Sequence, residues 1–236
     1  MLLALLLSAA QLPGFIPKQT GWGFLWQPAF VVDKVRREPA QPYLPQPGDI
    51  VLFDSPSPGW HFFYWLAFTG PPTHCGIVVA MPDGQIALLE AGAGSGLDVT
   101  IMPLERHEGY TGIYVRQRKF PLTPEQSAHL TDYAVAVCDK HVSALRFPIQ
   151  LTPFRMRGPL RTVFFGKPHG IHSTYFCSEL VVEACVAAGL LDAATARPAA
   201  TYPRDLFFDH SSNLYLNHHF TLSDGWFPPA LWTDTN

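Results

Sequence analysis

Apolar runs bounded by proline, glycine and aspartate predict strands in the first half of the chain. Pro47-Gly48-Asp49 is a turn signal ahead of the apolar run at 50–53. Further strands are predicted at 74–80, 85–90 and 112–116. Met81-Pro82-Asp83-Gly84 suits a three-residue hairpin loop with its glycine in the left-handed position. In that register Gly76 lies opposite Glu90, so His74 shares a face with Glu90.

Helical spacing replaces this pattern in the second half. Thr123-Pro124-Glu125-Gln126 has the composition of a capped helix start, and apolar residues then recur at 130, 133, 134 and 137. Another helix begins at Cys177 and ends near Gly189, and a short one follows residues 201–203. We therefore expect an α+β fold in which a small, mainly antiparallel sheet packs against the cysteine helix.

The segment at 58–68 is almost entirely aromatic. We interpret it as a short buried helix, because aromatic side chains usually supply core area. The alternative is an apolar surface for acyl chains or a membrane, which would make Trp60, Phe62, Phe63 and Trp65 a peripheral membrane contact.

Composition and charge narrow the choice of partners. The chain has 236 residues, a formal net charge of -3 and no basic run, so we expect no nucleic-acid partner. No apolar run is long enough to predict a transmembrane span. The four cysteines include two, Cys177 and Cys185, that lie on one predicted helix and cannot bridge each other. We expect Cys75, Cys138 and Cys185 to be core residues.

Cys177 is the strongest candidate for chemistry. The first turn of a helix has unpaired N–H groups and the positive end of the helix dipole, and both stabilise a thiolate. A cysteine hydrolase also needs an imidazole and a polar group that orients it. His74 and Glu90 supply these groups if the predicted hairpin register holds.

Four motifs add to this reading. Pro47-Gly48-Asp49-Ile50-Val51-Leu52-Phe53, Thr73-His74-Cys75-Gly76-Ile77-Val78-Val79, Leu89-Glu90-Ala91 and Tyr175-Phe176-Cys177-Ser178-Glu179-Leu180-Val181 resemble the circularly permuted papain-like branch of the NlpC/P60 superfamily, in particular the YiiX/YaeF-type amidase-like proteins. The resemblance covers about 47–117 and 172–208. It implies Cys177 as nucleophile, His74 as general base and acid, and Glu90 as the orienting residue. It also suggests Tyr175 or nearby backbone N–H groups as oxyanion donors. The aromatic block at 60–68 and Cys75 depart from the family pattern.

The resemblance sets the domain boundaries that we expect. Residues 47–210 form the catalytic domain, 13–46 an N-terminal extension with one ordered element at 31–38, and 211–236 a tail packed on the domain. Residues 1–12 are a short signal peptide or an apolar segment docked on the domain. The first reading implies export to the periplasm or extracellular space, and the second a cytoplasmic protein.

The predicted reaction cleaves an amide or ester bond through a Cys177 thioester, with no cofactor and no metal. The substrate is a peptide amide or a lipid acyl group, and the acceptor is water or another nucleophile. A metal site built from His74, Cys177 and His169 or His172 is the chemical rival, but paired ligand spacings are absent. The alternative from another class is a non-catalytic lipid- or peptide-binding protein with the same fold.

Overall fold

An antiparallel sheet organises the computed structural model, which describes residues 20–66, 69–92, 96–108, 110, 112–142, 169–210 and 221–235. The sheet has eight strands in these residues, in the spatial order β2-β1-β10-β7-β3-β4-β5-β6. A separate parallel pair joins β8 to β9. The strands are β1 (Phe24–Pro28), β2 (Gln41–Pro42), β3 (Ile50–Phe53), β4 (His74–Ala80), β5 (Ile86–Ala91), β6 (Val99–Met102), β7 (Ile113–Arg116), β8 (His141–Val142), β9 (Thr174–Tyr175) and β10 (Ala230–Thr233). The signal-like segment at 1–12 lies outside the described residues.

The sheet is larger than the small one predicted, because both flanking segments contribute strands to it. β1 and β2 come from the N-terminal extension, and β10 comes from the tail and lies between β1 and β7. The prediction of an ordered element at 31–38 is wrong, since these residues form neither a helix nor a strand. Aromatic side chains hold the added strands in place. Trp22 stacks on Trp232, whose indole N–H donates to the Trp22 carbonyl at 2.7 Å.

The predicted hairpin between β4 and β5 is confirmed with its register. Gly76 is paired with Glu90, and Ala80 with Ile86. Gly84 has a φ of 81°, the left-handed conformation that glycine adopts without steric cost, and its N–H donates to the Met81 carbonyl. This register fixes which side chains of the two strands share a face.

Four α-helices pack around the sheet in the described part of the chain: α1 (Pro58–Leu66), α2 (Pro124–Val137), α3 (Cys177–Ala187) and α4 (Pro203–Phe208), with 3₁₀ turns at Leu104–His107 and Pro198–Ala200. The predicted cap of α2 is confirmed. The Thr123 hydroxyl accepts from the Gln126 N–H, and the Gln126 side chain accepts from the Thr123 N–H. None of the helices in the described ranges has the length and apolar character that crossing a bilayer requires.

The two faces of the sheet belong to different cores. Ile50, Cys75 and Ile77 face α3 and α2, in a core that includes Leu180 and Val181. Val51, Phe53, Val78 and Leu88 point to the opposite face, where Trp22, Tyr43 and Trp232 cover them. Successive side chains of a strand point to opposite faces of the sheet, and this alternation divides the apolar residues between the two cores. The cysteine helix therefore packs on the face of the sheet opposite to that of Phe53.

The aromatic segment forms the predicted helix, α1, but the prediction that it is buried is wrong. Tyr64 is its one buried residue. Trp60, Phe62, Phe63 and Trp65 are 43%, 54%, 47% and 69% exposed. The helix is too short and too uniformly apolar to have a polar side, so anchoring it through one face leaves aromatic rings in solvent.

Two of the three cysteines expected in the core are there. Cys75 and Cys185 are buried, whereas Cys138 is partly exposed, so that part of the prediction is wrong. Cys138 is the C-terminal cap of α2 and follows the last buried position, Val137. All four cysteines are free thiols.

Candidate active site

Cys177 is the first residue of α3. Phe176, the cap of this helix, separates it from the end of β9 at Tyr175. Two side chains of the first turn anchor this end of the helix. The Ser178 hydroxyl donates to the Thr201 carbonyl at 2.6 Å, and the Glu179 carboxylate accepts from the Phe176 N–H at 3.3 Å. Both residues are buried. These contacts fix the start of α3 and so place Cys177 at the positive end of the helix dipole.

His74 and Glu90 meet as the predicted register requires. His74 is the first residue of β4, and its Nε2 lies 2.8 Å from Oε2 of Glu90. The two side chains are 13% and 1% exposed. A hydrogen bond of this length to a buried carboxylate fixes the plane of the imidazole ring.

Cys177 reaches His74 across the start of β4. The two side chains are hydrogen-bonded to each other. The helix that carries Cys177 packs on one face of the sheet, whereas Glu90 is on the face of Val78 and Leu88. Because His74 is the first residue of its strand, its ring can contact groups from both faces. The three side chains thus lie around the end of a strand rather than on one face of the sheet.

The electrostatics favour a charged pair. Burial acts to lower the pKa of His74, but the hydrogen bonds to Cys177 and Glu90, and the charges of both, outweigh it and raise that pKa to about 10. The pKa of Cys177 lies well below its ordinary value. At neutral pH the site therefore holds a thiolate beside an imidazolium, the reactive state of a thiol nucleophile.

Cys75 contributes to this state, which the sequence did not indicate. A hydrogen bond from the Cys75 side chain is the largest cause of the lowered pKa of Cys177. Burial opposes it, and His74 and the Cys75 backbone add to it. Cys75 is itself buried in the core, and its own pKa is raised well above the ordinary value, by burial first and then by Cys177. It therefore remains a neutral thiol that can donate to the Cys177 sulfur.

His107 is a second histidine on the same carboxylate. It lies in the 3₁₀ turn after β6, is 3% exposed, and places Nε2 3.2 Å from Oε1 of Glu90. Burial acts to raise the pKa of Glu90, but hydrogen bonds from His107 and His74 and their charges lower it to about 2. The Phe53 ring contacts both imidazole rings, with its centroid 5.6 Å from that of His74 and 5.2 Å from that of His107. Glu90 is therefore ionised and held from both sides.

Tyr64 connects the exposed helix α1 to this site. Its hydroxyl donates to the Thr73 carbonyl at 2.7 Å, next to His74. Burial first, and then the charge of Cys177, raise the pKa of Tyr64 well above its ordinary value. The ring of Tyr202 packs edge-on against that of Tyr64, with centroids 6.1 Å apart. The aromatic helix is thus anchored at the residue that precedes His74.

The remaining predicted residues lie elsewhere. His169 Nδ1 and His172 Nε2 are 3.4 and 3.7 Å from the carboxylate of Glu183 on α3. Within the described ranges, no group of three or more histidine, cysteine or acidic side chains is arranged to hold a metal. The Tyr175 hydroxyl accepts from the His172 N–H at 2.7 Å and lies 3.4 Å from the Gly170 carbonyl. This hydroxyl is engaged with the preceding loop, so an oxyanion role for Tyr175 stays a prediction.

Comparisons with known proteins add a distant similarity of fold. No protein-family model matches the chain. No curated protein matches it either. Among solved structures, the chain is similar to the crystal structure of metalloprotein YiiX from Escherichia coli O157:H7, with 20% sequence identity and a TM-score of 0.43. The similarity covers 61% of this chain and 66% of that one.

Proposed function

We propose that the protein is a cysteine hydrolase or acyltransferase that cleaves an amide or ester bond. The observation that supports this most directly is the pairing of Cys177, at the start of α3, with an imidazole that a buried carboxylate orients. Nucleophile, base and orienting group are the parts that covalent acyl transfer needs. The order of His74, Glu90 and Cys177 along the chain is that of the permuted papain-like branch whose motifs the sequence resembles.

In the proposed reaction the Cys177 thiolate attacks the carbonyl carbon, and the carbonyl electron pair moves to oxygen. Backbone N–H groups of the first turn of α3 stabilise the oxyanion. The bond to the leaving nitrogen or oxygen then breaks, and His74 gives this group its proton. Neutral His74 takes a proton from water, whose oxygen attacks the thioester. The carbon–sulfur bond breaks, and the acid product leaves a thiolate and an imidazolium.

The substrate class in this proposal is a peptide amide or a lipid acyl group. The exposed aromatic rings of α1 favour the acyl group, because Tyr64 anchors this helix to Thr73, next to His74. A peripheral membrane contact through Trp60, Phe62, Phe63 and Trp65 is part of the proposal. Replacement of water by an alcohol or amine acceptor would make the same thioester chemistry a transferase reaction.

Alkylation by iodoacetamide near neutral pH tests the reactive pair. The background is Cys138→Ser, since Cys138 is the other partly exposed thiol. We expect rapid, selective labelling of Cys177 that is lost in His74→Ala and kept in His129→Ala, an exposed histidine on α2. Labelling of Cys177 no faster than that of a free thiol would contradict the proposal and favour a binding protein.

A substrate panel then separates the reactions. Peptide amides and lipid esters are incubated with wild type and Cys177→Ala, with and without an amine acceptor. We expect products with wild type alone. Free acid as the product identifies a hydrolase, and acylated amine identifies a transferase.

A further inference from the structure

A cavity of about 790 Å³ lies between the end of α1, the loop at 69–71 and helix α4. This volume is within the usual range for sites that bind small molecules. Its lining is amphipathic. Arg204, His61 and His210 are its basic side chains, and Trp65, Phe208 and Pro71 are apolar. The cavity is therefore suited to a ligand with an anionic group and an apolar part.

Arg204 is the residue that would recognise the anionic group. Its guanidinium lies 4.7 Å from the centre of the Phe208 ring, and one of its N–H groups donates to the Pro71 carbonyl at 3.3 Å. A guanidinium has five N–H donors, so this geometry leaves others able to bind phosphate oxygens in a bidentate manner. The acidic residue of the lining, Asp205, accepts a hydrogen bond from the Tyr202 N–H at 2.9 Å.

The cavity is continuous with the exposed aromatic surface of α1. Trp65 belongs to both, since it lines the cavity and is 69% exposed. Phe62 stacks on Trp65 and contacts Phe63, so the rings form one cluster. α1 contains no lysine, arginine, aspartate or glutamate. Tryptophan and phenylalanine on one short uncharged helix are typical of a segment that enters the interface of a bilayer.

We propose that the rings of α1 insert into the surface of an anionic membrane and that the cavity beside them takes the phosphate of a phospholipid headgroup on Arg204. The aromatic cluster supplies the apolar contact, and the Arg204 guanidinium supplies the preference for anionic lipid. This inference rests on the membrane contact of the proposed function and not on the chemistry of Cys177. Cys177→Ala therefore binds vesicles as wild type does, and failure of either idea can be recognised without the other.

Vesicle sedimentation and tryptophan fluorescence test the inference on the full chain. The probes are phosphatidylcholine vesicles with and without phosphatidylglycerol. We expect binding with a blue-shifted emission on the mixed vesicles. Phe62→Ser and Trp65→Ser each weaken binding about tenfold, since each removes an apolar side chain that insertion would bury. Arg204→Gln removes the preference for phosphatidylglycerol.

Matched variants separate this result from general effects of hydrophobicity and charge. Phe120→Ser replaces a phenylalanine that is 68% exposed outside the cluster, and Arg106→Gln removes an exposed charge outside the cavity. Both should bind vesicles as wild type does. The inference fails if wild type binds neither vesicle, or if Phe120→Ser weakens binding as much as Trp65→Ser. It also fails if inorganic phosphate binds at Arg204 while the protein does not bind vesicles. It fails as well if the α1 substitutions change only the oligomeric state, since the aromatic rings would then contact a second copy of the chain.

Discussion

Removal of the Cys75 side-chain donor should make Cys177 a weaker acid. In Cys75→Ala the Cys177 thiolate loses the hydrogen bond that contributes most to its lowered pKa, while His74 and the Cys75 backbone N–H remain. Cys75→Ser keeps a donor at the same position. The two variants therefore differ in the one interaction under test.

The size of the effect follows from the strength of that interaction. A hydrogen bond to a charged group contributes about 1.5–3 kcal/mol. Since one pKa unit corresponds to about 1.4 kcal/mol, the pKa of Cys177 should rise by about one to two units in Cys75→Ala. It should still lie below the ordinary value for cysteine because the His74 imidazolium is unchanged.

The assay is the pH dependence of Cys177 alkylation by iodoacetamide, followed by mass spectrometry of the Cys177 peptide in the Cys138→Ser background. The midpoint of the rate profile reports the thiolate population. Cys185→Ala is the matched control, because Cys185 is equally buried in the same core. A midpoint in Cys75→Ala equal to that of wild type would refute the reasoning. An equal rise in Cys185→Ala would refute it as well, since loosened packing would then be the cause.

Three further predictions follow from the contacts around Glu90. Its pKa of about 2 lies below the ordinary 4.5, so ionised Glu90 should stabilise the folded state by about 3 kcal/mol above pH ~4.5. This contribution is lost as the pH falls from ~4.5 through ~2, and urea unfolding should show a flatter acid limb in Glu90→Gln; identical acid limbs would contradict the assignment. His107→Ala should raise the pKa of Glu90, read by NMR, by about one to two units, because the hydrogen bond from His107 is the first of the interactions that lower it, with partial recovery in His107→Gln, which keeps a donor; an unchanged Glu90 titration would exclude this role of His107. Gly76→Ala should destabilise the protein by about 1–3 kcal/mol in thermal unfolding, because its Cβ would lie 2.9 Å from the Leu89 carbonyl oxygen. Gly59→Ala, whose Cβ would approach only Ser57 Oγ at 3.7 Å, is the control, and an equal loss in both would contradict this steric reason.

Local signals in the sequence were sufficient for the central part of the site. Met81-Pro82-Asp83-Gly84 specifies a short loop, and the loop length fixes the register that places His74 next to Glu90. The cap at Thr123 and the helix at Cys177 depend in the same way on neighbouring residues. These parts of the fold could be predicted because short-range geometry determines them.

Other parts depend on contacts between distant segments. His107 is in a 3₁₀ turn 17 residues after Glu90, and β6 brings it back beside the carboxylate. In the sequence, His107 is marked only as a histidine after a short apolar run, a pattern that many chains contain, so it did not indicate a site residue. The exposure of α1 could not be derived from composition, because aromatic residues contribute strongly to cores and to interfaces alike. The strands added by the extension and the tail have short, irregular patterns, and only their mutual pairing identifies them.

The position of β10 has a consequence for the order of biosynthesis. β1 is joined to the rest of the sheet through β10, which pairs with β1 on one side and β7 on the other. Phe24 is paired with Thr233, so β1 can join the rest of the sheet only after synthesis has passed β10. During that interval β1 can pair with β2 alone, and Trp22 lacks its contact with Trp232, whereas the hairpin of β4 and β5 can form without them. Sheet closure is therefore a late step of high contact order, and a chaperone that shields the first strand would act on this interval.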